Sequence, residues 1–239
     1  ASMPIGTYSE KQIIPEDKLV KVPDNISDEV ASCITLKGIT AEYLLHRTYQ
    51  VKKGDKILYH AAAGALGQIF CPWANALGAE IIGTVGSDEK IEIAKKNGCH
   101  HVINYNEKNF VEEVEKIVGK NGLDVVYDGV GAKTFEGSIE VLKVRGMMVA
   151  FGNASGYVHT LDIKNHINAK GLFFTRPSID HYTIIRKELE EAAEKVFEAI
   201  SKGKFKVEIS KKYSLDEVRK AHEDLEGRKL LGPAIILPN

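Results

Sequence analysis

The chain has 239 residues, 44% of them hydrophobic, so it is long enough to bury a sizeable core. Its 32 Lys and Arg residues balance 33 Asp and Glu residues, which excludes a global charge that would attract nucleic acid or an anionic membrane. Its three cysteines are odd in number and lack paired spacing, which argues against a disulfide framework or a zinc site and favours a reducing cytoplasm.

The first forty residues contain Pro4, Pro15 and Pro23 and a single helical pattern, from Ser27 to about Leu45. We expect this segment to pack with the C-terminal tail rather than with a central sheet. The chain begins Ala-Ser-Met-Pro, without an initiator Met, and we expect it to be a fragment of a longer protein. We find no charged-then-apolar leader and no apolar run that would span a bilayer, so export is not expected.

From Lys56 onward, short β-branched runs alternate with longer runs of helical period, the pattern of βαβ units around a parallel sheet. Five or six strands are predicted: Lys56–His60, Glu80–Val85, His101–Asn104, Asp124–Tyr127, Met147–Phe151 and, as the sixth, Leu172–Thr175. Helices are predicted over about 65–77, 88–97 and 107–118, with Gly78, Gly98 and Gly119 at their C-terminal ends. The predicted fold class is α/β with a doubly wound parallel sheet.

Beyond Pro177 the pattern changes. It predicts a long charged helix from Lys187 to Lys202, an alternating strand Lys204–Ile209, a helix from Leu215 to Leu225 and a closing strand Ala234–Leu237. We interpret this part as a separate layer.

Residues 57–67 read ILYHAAAGALG, a buried strand that runs directly into a turn of small residues and a helix start. The dinucleotide fingerprint has glycine at three positions, which Ala62, Gly64 and Gly67 occupy here as A-x-G-x-x-G. The N–H groups and the dipole of a helix start favour an anion. The turn therefore predicts a phosphate site in a Rossmann domain. A tight strand-to-helix connection without a ligand is the alternative.

The residues after the second predicted strand indicate the choice of nicotinamide cofactor. An NAD enzyme usually has Asp or Glu there to bind the ribose hydroxyls. Here the sequence is GSDEK at positions 86–90, so the first position is small and Lys90 lies one turn into the helix, within reach of a 2′-phosphate. NADP is favoured, but Asp88 keeps NAD open. The residues also fit a plain helix cap at Ser87 and a solvated Lys90.

Seven motifs, in this order, carry a resemblance to a known family: LKGITAEYLL (36–45), HAAAGALGQ (60–68), GTVGSDEK (83–90), VINY (102–105), VVYDGVG (125–131), GMMVAFGNASG (146–156) and FFTRPS (173–178). Together they closely resemble the zinc-independent NADPH:quinone oxidoreductases of the medium-chain dehydrogenase/reductase superfamily, over essentially the whole chain. The resemblance implies a Rossmann domain with a remnant of a GroES-like β-rich catalytic domain, most of whose N-terminal segment is missing.

The resemblance implies three parts: the end of the N-terminal catalytic-domain segment (1–45), the Rossmann NADPH-binding domain (46–176), and a C-terminal segment that returns to the catalytic domain (177–239). It also implies a homodimer through the edge strand Leu172–Thr175, whose apolar residues would otherwise be exposed.

The resemblance further implies which residues contact NADPH. They are Thr40 near the nicotinamide; Ala63, Gly64, Ala65 and Leu66 in the pyrophosphate turn; Gly86, Ser87 and Lys90 at the 2′-phosphate; Tyr105 near the adenosine; Gly129, where some relatives have serine; Phe151, Gly152, Asn153 and Ser155 on the nicotinamide side; and Arg228, returning to the pocket. Relatives commonly have Gly-Gly-Val at positions 64–66, so the methyl group of Ala65 would crowd the phosphate slightly. Judged alone, Tyr105 and Phe151 are also typical core residues, and Asp128 a typical cap.

The expected function is hydride or electron transfer from NADPH to a small quinone without a metal. The cofactor carries the chemistry, so no strict catalytic residue is assigned, and Thr40 and Asn153 are the candidates for orienting groups. The alternatives are an enoyl or alkenal reductase, a non-catalytic NADPH-binding protein with local RNA affinity, and, weakest, a zinc alcohol dehydrogenase. His60, His100 and His101 are rejected as metal ligands because no thiolate accompanies them. Neither a membrane nor nucleic acid is an expected partner.

Overall fold

The computed structural model describes residues 6–227 and 229–238. At its centre six strands form a parallel sheet in the order β3-β2-β1-β4-β5-β6. They are β1 (Lys56–Tyr59), β2 (Glu80–Val85), β3 (His101–Asn104), β4 (Leu123–Asp128), β5 (Leu142–Ala150) and β6 (Phe173–Thr175). The strand order reverses between β1 and β4, as in doubly wound nucleotide-binding sheets. The predicted α/β Rossmann fold is confirmed.

Helices cover both faces of this sheet. They are α1 (Asp28–Tyr43), α2 (Gly67–Ala76), α3 (Ile91–Lys96), α4 (Phe110–Val118), α5 (Phe135–Glu140), α6 (Ile179–Tyr182), α7 (Arg186–Ser201) and α8 (Val218–Glu226). A second, small sheet pairs β7 (Lys211–Ser214) in parallel with β8 (Ala234–Leu237). None of the helices in the described part is long and apolar enough to cross a membrane.

The core is divided by the sheet because successive side chains of a strand point to opposite faces. In β1, Ile57 and Tyr59 join the hydrophobic cluster that contains residues of α1, α2 and α7. Leu58, between them, joins the cluster of α4 and α5. All three side chains are fully buried or nearly so. Burial on both faces explains why these strands are continuous apolar runs in the sequence.

Three predicted helix ends are confirmed at Gly78, Gly98 and Gly119, whose φ angles are 87°, 85° and 81°. In that left-handed region a glycine avoids the steric cost that a Cβ atom would add. The predicted second helix is divided, with a 3-10 turn over Asp88–Lys90 before α3.

Helix α1 crosses α7 closely at Gly38. A Cβ atom at this position would lie 2.5 Å from Cγ1 of Val196, so only glycine fits without a shift. The charged side chains of the same pair of helices also meet, since Lys195 lies 3.0 Å from the buried carboxylate of Glu42. The N-terminal helix is therefore held against the long helix of the C-terminal part.

The strand predicted over Lys204–Ile209 was wrong. These residues are not part of a sheet, and the strand that pairs with β8 begins later, at Lys211. The alternation is nevertheless real: Phe205 is buried beside Trp73, and Val207 and Ile209 pack against the same core cluster. The alternating pattern thus indicated which side chains of an extended segment are buried. Such burial does not require that the segment be hydrogen-bonded to a partner strand. Helix α5 was not predicted at all.

Candidate functional site

The loops that follow β1, β2, β4 and β5 lie at the carboxyl edge of one parallel sheet. Ligands of open α/β sheets bind at this edge, where the strand order reverses. Three of these loops, residues 60–66, 86–90 and 151–156, carry most of the predicted site residues. Thr40 lies instead on α1, which packs against α2, and Arg228 lies outside the described residues.

The turn after β1 is compact and anchored. Ala61 has the left-handed φ of 59°, and its carbonyl accepts a hydrogen bond from the N–H of Gly64 at 2.9 Å. The N–H of Ala62 donates to the carbonyl of Thr84 at 2.9 Å, which ties the turn to β2. An alanine at a positive φ is uncommon, so the surrounding structure must hold this turn in place.

Backbone donors remain open in this turn. The N–H groups of Ala63, Ala65 and Leu66 have no acceptor within the described ranges. Gly64 is exposed beside them. Unpaired N–H groups that precede a helix are suited to bind an anion such as a pyrophosphate.

The two glycines of the fingerprint have different roles. A Cβ atom at Gly67 would lie 2.3 Å from the carbonyl oxygen of Ala62, so glycine is required for α2 to pack on the turn. A Cβ atom at Gly64 would meet only the carbonyl oxygen of Ala61, at 3.1 Å. Gly64 therefore leaves space on the open side of the turn, where a ligand can approach the backbone.

The end of β2 provides a second part of the site. Gly86 lies against Tyr105, since a Cβ atom there would be 3.0 Å from the Tyr105 hydroxyl oxygen. Asp88 accepts a hydrogen bond from the side chain of Asn104 at 2.8 Å. Lys90 is half-buried, and its ammonium group has no partner in the part of the chain that the structure describes. Ser87 lies at the N-cap position of the turn Asp88–Lys90, as one interpretation expected, but its side chain makes no capping hydrogen bond.

The turn after β5 packs tightly on the turn after β4. A Cβ atom at Gly152 would lie 2.4 Å from the carbonyl oxygen of Gly129, and one at Gly129 would lie 2.9 Å from the ring of Phe151. A serine at position 129 would collide with that ring. Glycine at this position is therefore matched to the placement of Phe151.

Two polar residues of this turn are available to different degrees. The Ser155 hydroxyl donates to the carbonyl of Val130 at 2.8 Å and accepts from the N–H of Lys133 at 3.0 Å, so it stabilises the turn. The side chain of Asn153 has no partner among the described residues. The hydroxyl of Thr40 donates to the carbonyl of Leu36 at 2.8 Å and retains its acceptor capacity.

Sequence reasoning missed a buried polar network beneath these turns. His60, rejected as a metal ligand, is fully buried and contacts the hydroxyl groups of Thr84 and Ser138. Asp128 accepts hydrogen bonds from the N–H groups of Val130 and Gly131, which confirms its interpretation as a cap. The only sequence signal was the occurrence of polar residues at the ends of apolar strands.

Within residues 6–227 and 229–238, no group of three or more His, Cys, Asp or Glu side chains is placed to hold a metal ion. The three cysteines are free and buried. The site is thus described by backbone donors, a lysine and small residues.

Comparison with known proteins gives consistent matches over this architecture. Residues 65–202 match the family model described as zinc-binding dehydrogenase. The chain is 45% identical to a quinone oxidoreductase of Salmonella typhimurium, covering 100% of this chain and 73% of that protein. It is 43% identical to a 2-haloacrylate reductase of a Burkholderia species, covering 98% and 72%. The structure of Escherichia coli quinone oxidoreductase complexed with NADPH superposes with a TM-score of 0.89 at 44% identity, over 93% of this chain and 69% of that one.

Proposed function

This chain belongs to the quinone oxidoreductases of the medium-chain dehydrogenase/reductase superfamily, and we propose that it binds NADPH and reduces a small quinone. The observation that carries the proposal is the open turn at Gly64, with its unpaired backbone donors, together with the unpaired Lys90 in the 3-10 turn that follows β2. These groups match the two anionic parts of NADPH, the pyrophosphate and the 2′-phosphate.

The residues of the site form two groups, one for each anionic part of this cofactor. The N–H groups of Ala63, Ala65 and Leu66 bind the pyrophosphate, and Lys90 binds the 2′-phosphate through a charge-assisted hydrogen bond. Gly86 and Ser87 connect β2 to the turn that carries Lys90, and Tyr105 packs against Gly86. Because NADH lacks the 2′-phosphate, a lysine placed to bind this group favours NADPH over NADH. Arg228, the remaining candidate for the pocket, lies outside the described residues.

The chain itself has mainly a positioning role. When bound, the reduced nicotinamide supplies the hydride. Phe151, Gly152 and Asn153 border the nicotinamide side, with Gly129 behind them, and Ser155 holds their turn. Thr40 and Asn153 orient the quinone or the carboxamide by hydrogen bonds. Quinone reduction to hydroquinone needs one hydride and one proton, and water supplies the proton, so no protein acid is assigned.

Reduction of a carbon–carbon double bond is the second candidate. The 43% identical 2-haloacrylate reductase is named for an alkene conjugated to a carboxylate, a class that also accepts a hydride at carbon. The function is tested by following NADPH oxidation with a small benzoquinone, with 2-chloroacrylate and with an enone. We expect the quinone to be reduced fastest. Faster turnover of 2-chloroacrylate would assign the chain to alkene reduction, and binding of NADPH without any turnover would contradict both reactions.

We further propose the assembly and location of the protein. The division into residues 1–45, 46–176 and 177–239 is supported by the change of pattern beyond Pro177. A homodimer through β6 is supported by the exposed Phe173 on that edge strand. A reducing cytoplasm is supported by the three buried, free cysteines.

A further inference from the structure

Five polar side chains are buried between the sheet and α5, each at most 2% exposed: His60, Thr84, Asp128, Thr134 and Ser138. Burial of polar groups costs free energy unless they are hydrogen-bonded. Each of these five has a partner within the group. They lie directly beneath the turns that border the proposed cofactor site.

The proton positions in this network follow from counting donors. The Asp128 carboxylate accepts from the Thr134 hydroxyl and, at 3.0 Å, from the Ser138 hydroxyl. Because Ser138 has one proton and donates it to Asp128, it must accept from Nε2 of His60, 3.0 Å away. Nε2 therefore carries the ring proton.

The other ring nitrogen, Nδ1 of His60, is then an acceptor for the Thr84 hydroxyl at 2.9 Å. Burial lowers the pKa of His60, and the nearby Asp128 opposes this effect only in part. The imidazole is thus neutral, with a single tautomer and a fixed orientation. We name His60, Ser138 and Asp128 the buried polar chain.

The buried polar chain begins and ends at the turns of the site. His60 is followed by Ala61, the left-handed residue of the turn after β1. Asp128 binds the turn after β4 through the N–H groups of Val130 and Gly131. Its carbonyl accepts from the N–H of Phe151 at 2.9 Å, which connects the turn after β5. Three turns are therefore connected to one polar chain.

We propose that His60, Ser138 and Asp128 are positioning residues that fix the turn after β1 relative to the turns after β4 and β5, so that one cofactor molecule contacts all of them. This inference rests on the proposed function. The three side chains are buried and act through the backbone of the turns, without touching the cofactor. A purely structural role would not require polar groups, since apolar pairs of the same shape are about as stable in a core.

The test removes the middle hydroxyl group of the buried polar chain with Ser138→Ala. The matched control is Tyr127→Phe, which removes another buried hydrogen bond of β4, from the Tyr127 hydroxyl to the Leu44 carbonyl at 2.9 Å, on the opposite face of the sheet. We expect Ser138→Ala to weaken NADPH binding by at most about tenfold, because the stabilisation that one buried hydrogen bond gives to the aligned turns sets the upper limit, and Tyr127→Phe to leave it nearly unchanged. Equal NADPH affinity of the two variants would overturn the proposal.

Amide hydrogen exchange of the ligand-free protein gives a second readout. We expect Ser138→Ala to accelerate exchange in the turns at both ends of the buried polar chain. These turns are represented by the N–H groups of Ala62 and Gly64 and by those of Val130 and Gly131. Tyr127→Phe should not accelerate exchange at these groups. Unchanged exchange at Ala62 and Gly64 would overturn the proposal. If the wild-type protein fails to bind NADPH, the proposed function is wrong, and this exchange experiment still decides whether the turns are coupled.

Two substitutions of His60, at one end of the buried polar chain, separate the effect of hydrogen bonding from that of packing. His60→Gln keeps an N–H donor for Ser138, and His60→Leu does not. We expect Gln to retain more NADPH affinity than Leu. Equal loss in both variants would mean that only the shape of the imidazole matters, which also overturns the proposal.

Discussion

At the scale of single residues, the proposed cofactor site depends on polar and charged groups that have no partner among the described residues. Many charged side chains of the described part form ion pairs, as Lys95 does with Glu92 at 2.8 Å. Lys90, five residues earlier and half-buried, has none there. An unpaired ammonium group on a half-buried side chain is a suitable partner for a phosphate dianion.

We predict that Lys90→Ala weakens the binding of NADPH and leaves that of NADH unchanged. A hydrogen bond to a charged group contributes about 1.5–3 kcal/mol, so the Kd for NADPH should rise roughly tenfold to a hundredfold. Titration by fluorescence or calorimetry measures both values. Lys95→Ala is the control, because its ammonium group is already paired with Glu92. A parallel loss of NADH affinity would show that Lys90 does not select the 2′-phosphate.

The two fingerprint glycines should respond differently to alanine. We predict that Gly67→Ala destabilises the protein by about 1–3 kcal/mol, because the methyl group meets the carbonyl oxygen of Ala62 at 2.3 Å. Gly64→Ala should cost less stability, since its nearest neighbour, the carbonyl oxygen of Ala61, is at 3.1 Å and has to move only slightly, but it should weaken NADPH binding. Urea denaturation and NADPH titration of the two variants check this. Equal stability of both variants would contradict the assigned roles.

At the scale of secondary structure, apolar runs predicted five of the six parallel strands to within one residue at each end, because central strands are covered on both faces. Strand β5 begins five residues before the predicted Met147, and this first part was missed because its residues 143–145 are exposed. Side-chain patterns gave no information on hydrogen-bond partners, which is why residues 204–209 were wrongly predicted as a strand. Helix α5 is short, and its buried Ser138 belongs to a polar network with residues distant in the chain. A local pattern contains no signal for such contacts.

The close crossing of α1 and α7 gives a prediction of definite sign. Helix propensity alone would make Gly38→Ala stabilising by about 1 kcal/mol. The 2.5 Å approach to Val196 should reverse this and lower the free energy of unfolding by about 1–3 kcal/mol. Denaturant unfolding measures the effect. In a Val196→Ala background the cost of Gly38→Ala should largely disappear, and an undiminished cost there would exclude the steric explanation.

Helix α8 is held to β7 by an acid-sensitive contact. Lys211 and then Tyr213 donate to the Asp224 carboxylate, at 2.6 Å and 2.7 Å, and lower the pKa of Asp224 to about 2. An unfolded Asp titrates near pH 4, so the contact stabilises the fold fully above about pH 4 and the stabilisation is lost as the pH falls to about 2.

We therefore predict that Asp224→Asn lowers the melting temperature near pH 7 and that the difference from wild type shrinks between about pH 4 and pH 2. Thermal unfolding across this pH range measures it. The exposed Asp216, in the turn before α8, provides the control variant Asp216→Asn, which should follow the wild type. A difference from wild type that does not depend on pH would contradict the role of the carboxylate.

At the scale of the whole molecule, the sequence motifs predicted which loops would meet at the carboxyl edge of the sheet, because parallel strands bring their carboxyl ends together. They did not predict the contact of His60 with Ser138, 78 residues apart in the chain. Nor did they explain Gly129, whose small size is matched to the ring of Phe151. Motifs identify loops, whereas the packing between loops depends on the folded sheet.

The last prediction concerns the outer edge of that sheet. Strand β6 pairs with β5 on one side, has no partner strand on its other side within the described residues, and exposes 58% of Phe173. An apolar edge strand of this kind is a template for pairing, and a two-fold copy of the same strand closes it. We expect light scattering to report two chains per particle.

Phe173→Lys should give a monomer, because a charge on the edge strand opposes pairing. The control is Ile184→Lys, which changes an equally apolar residue, 72% exposed, outside the sheet, and should remain a dimer. A monomeric wild-type protein would reject pairing through β6. A dimer that persists in Phe173→Lys and dissociates in Ile184→Lys would move the interface to the segment that precedes α7.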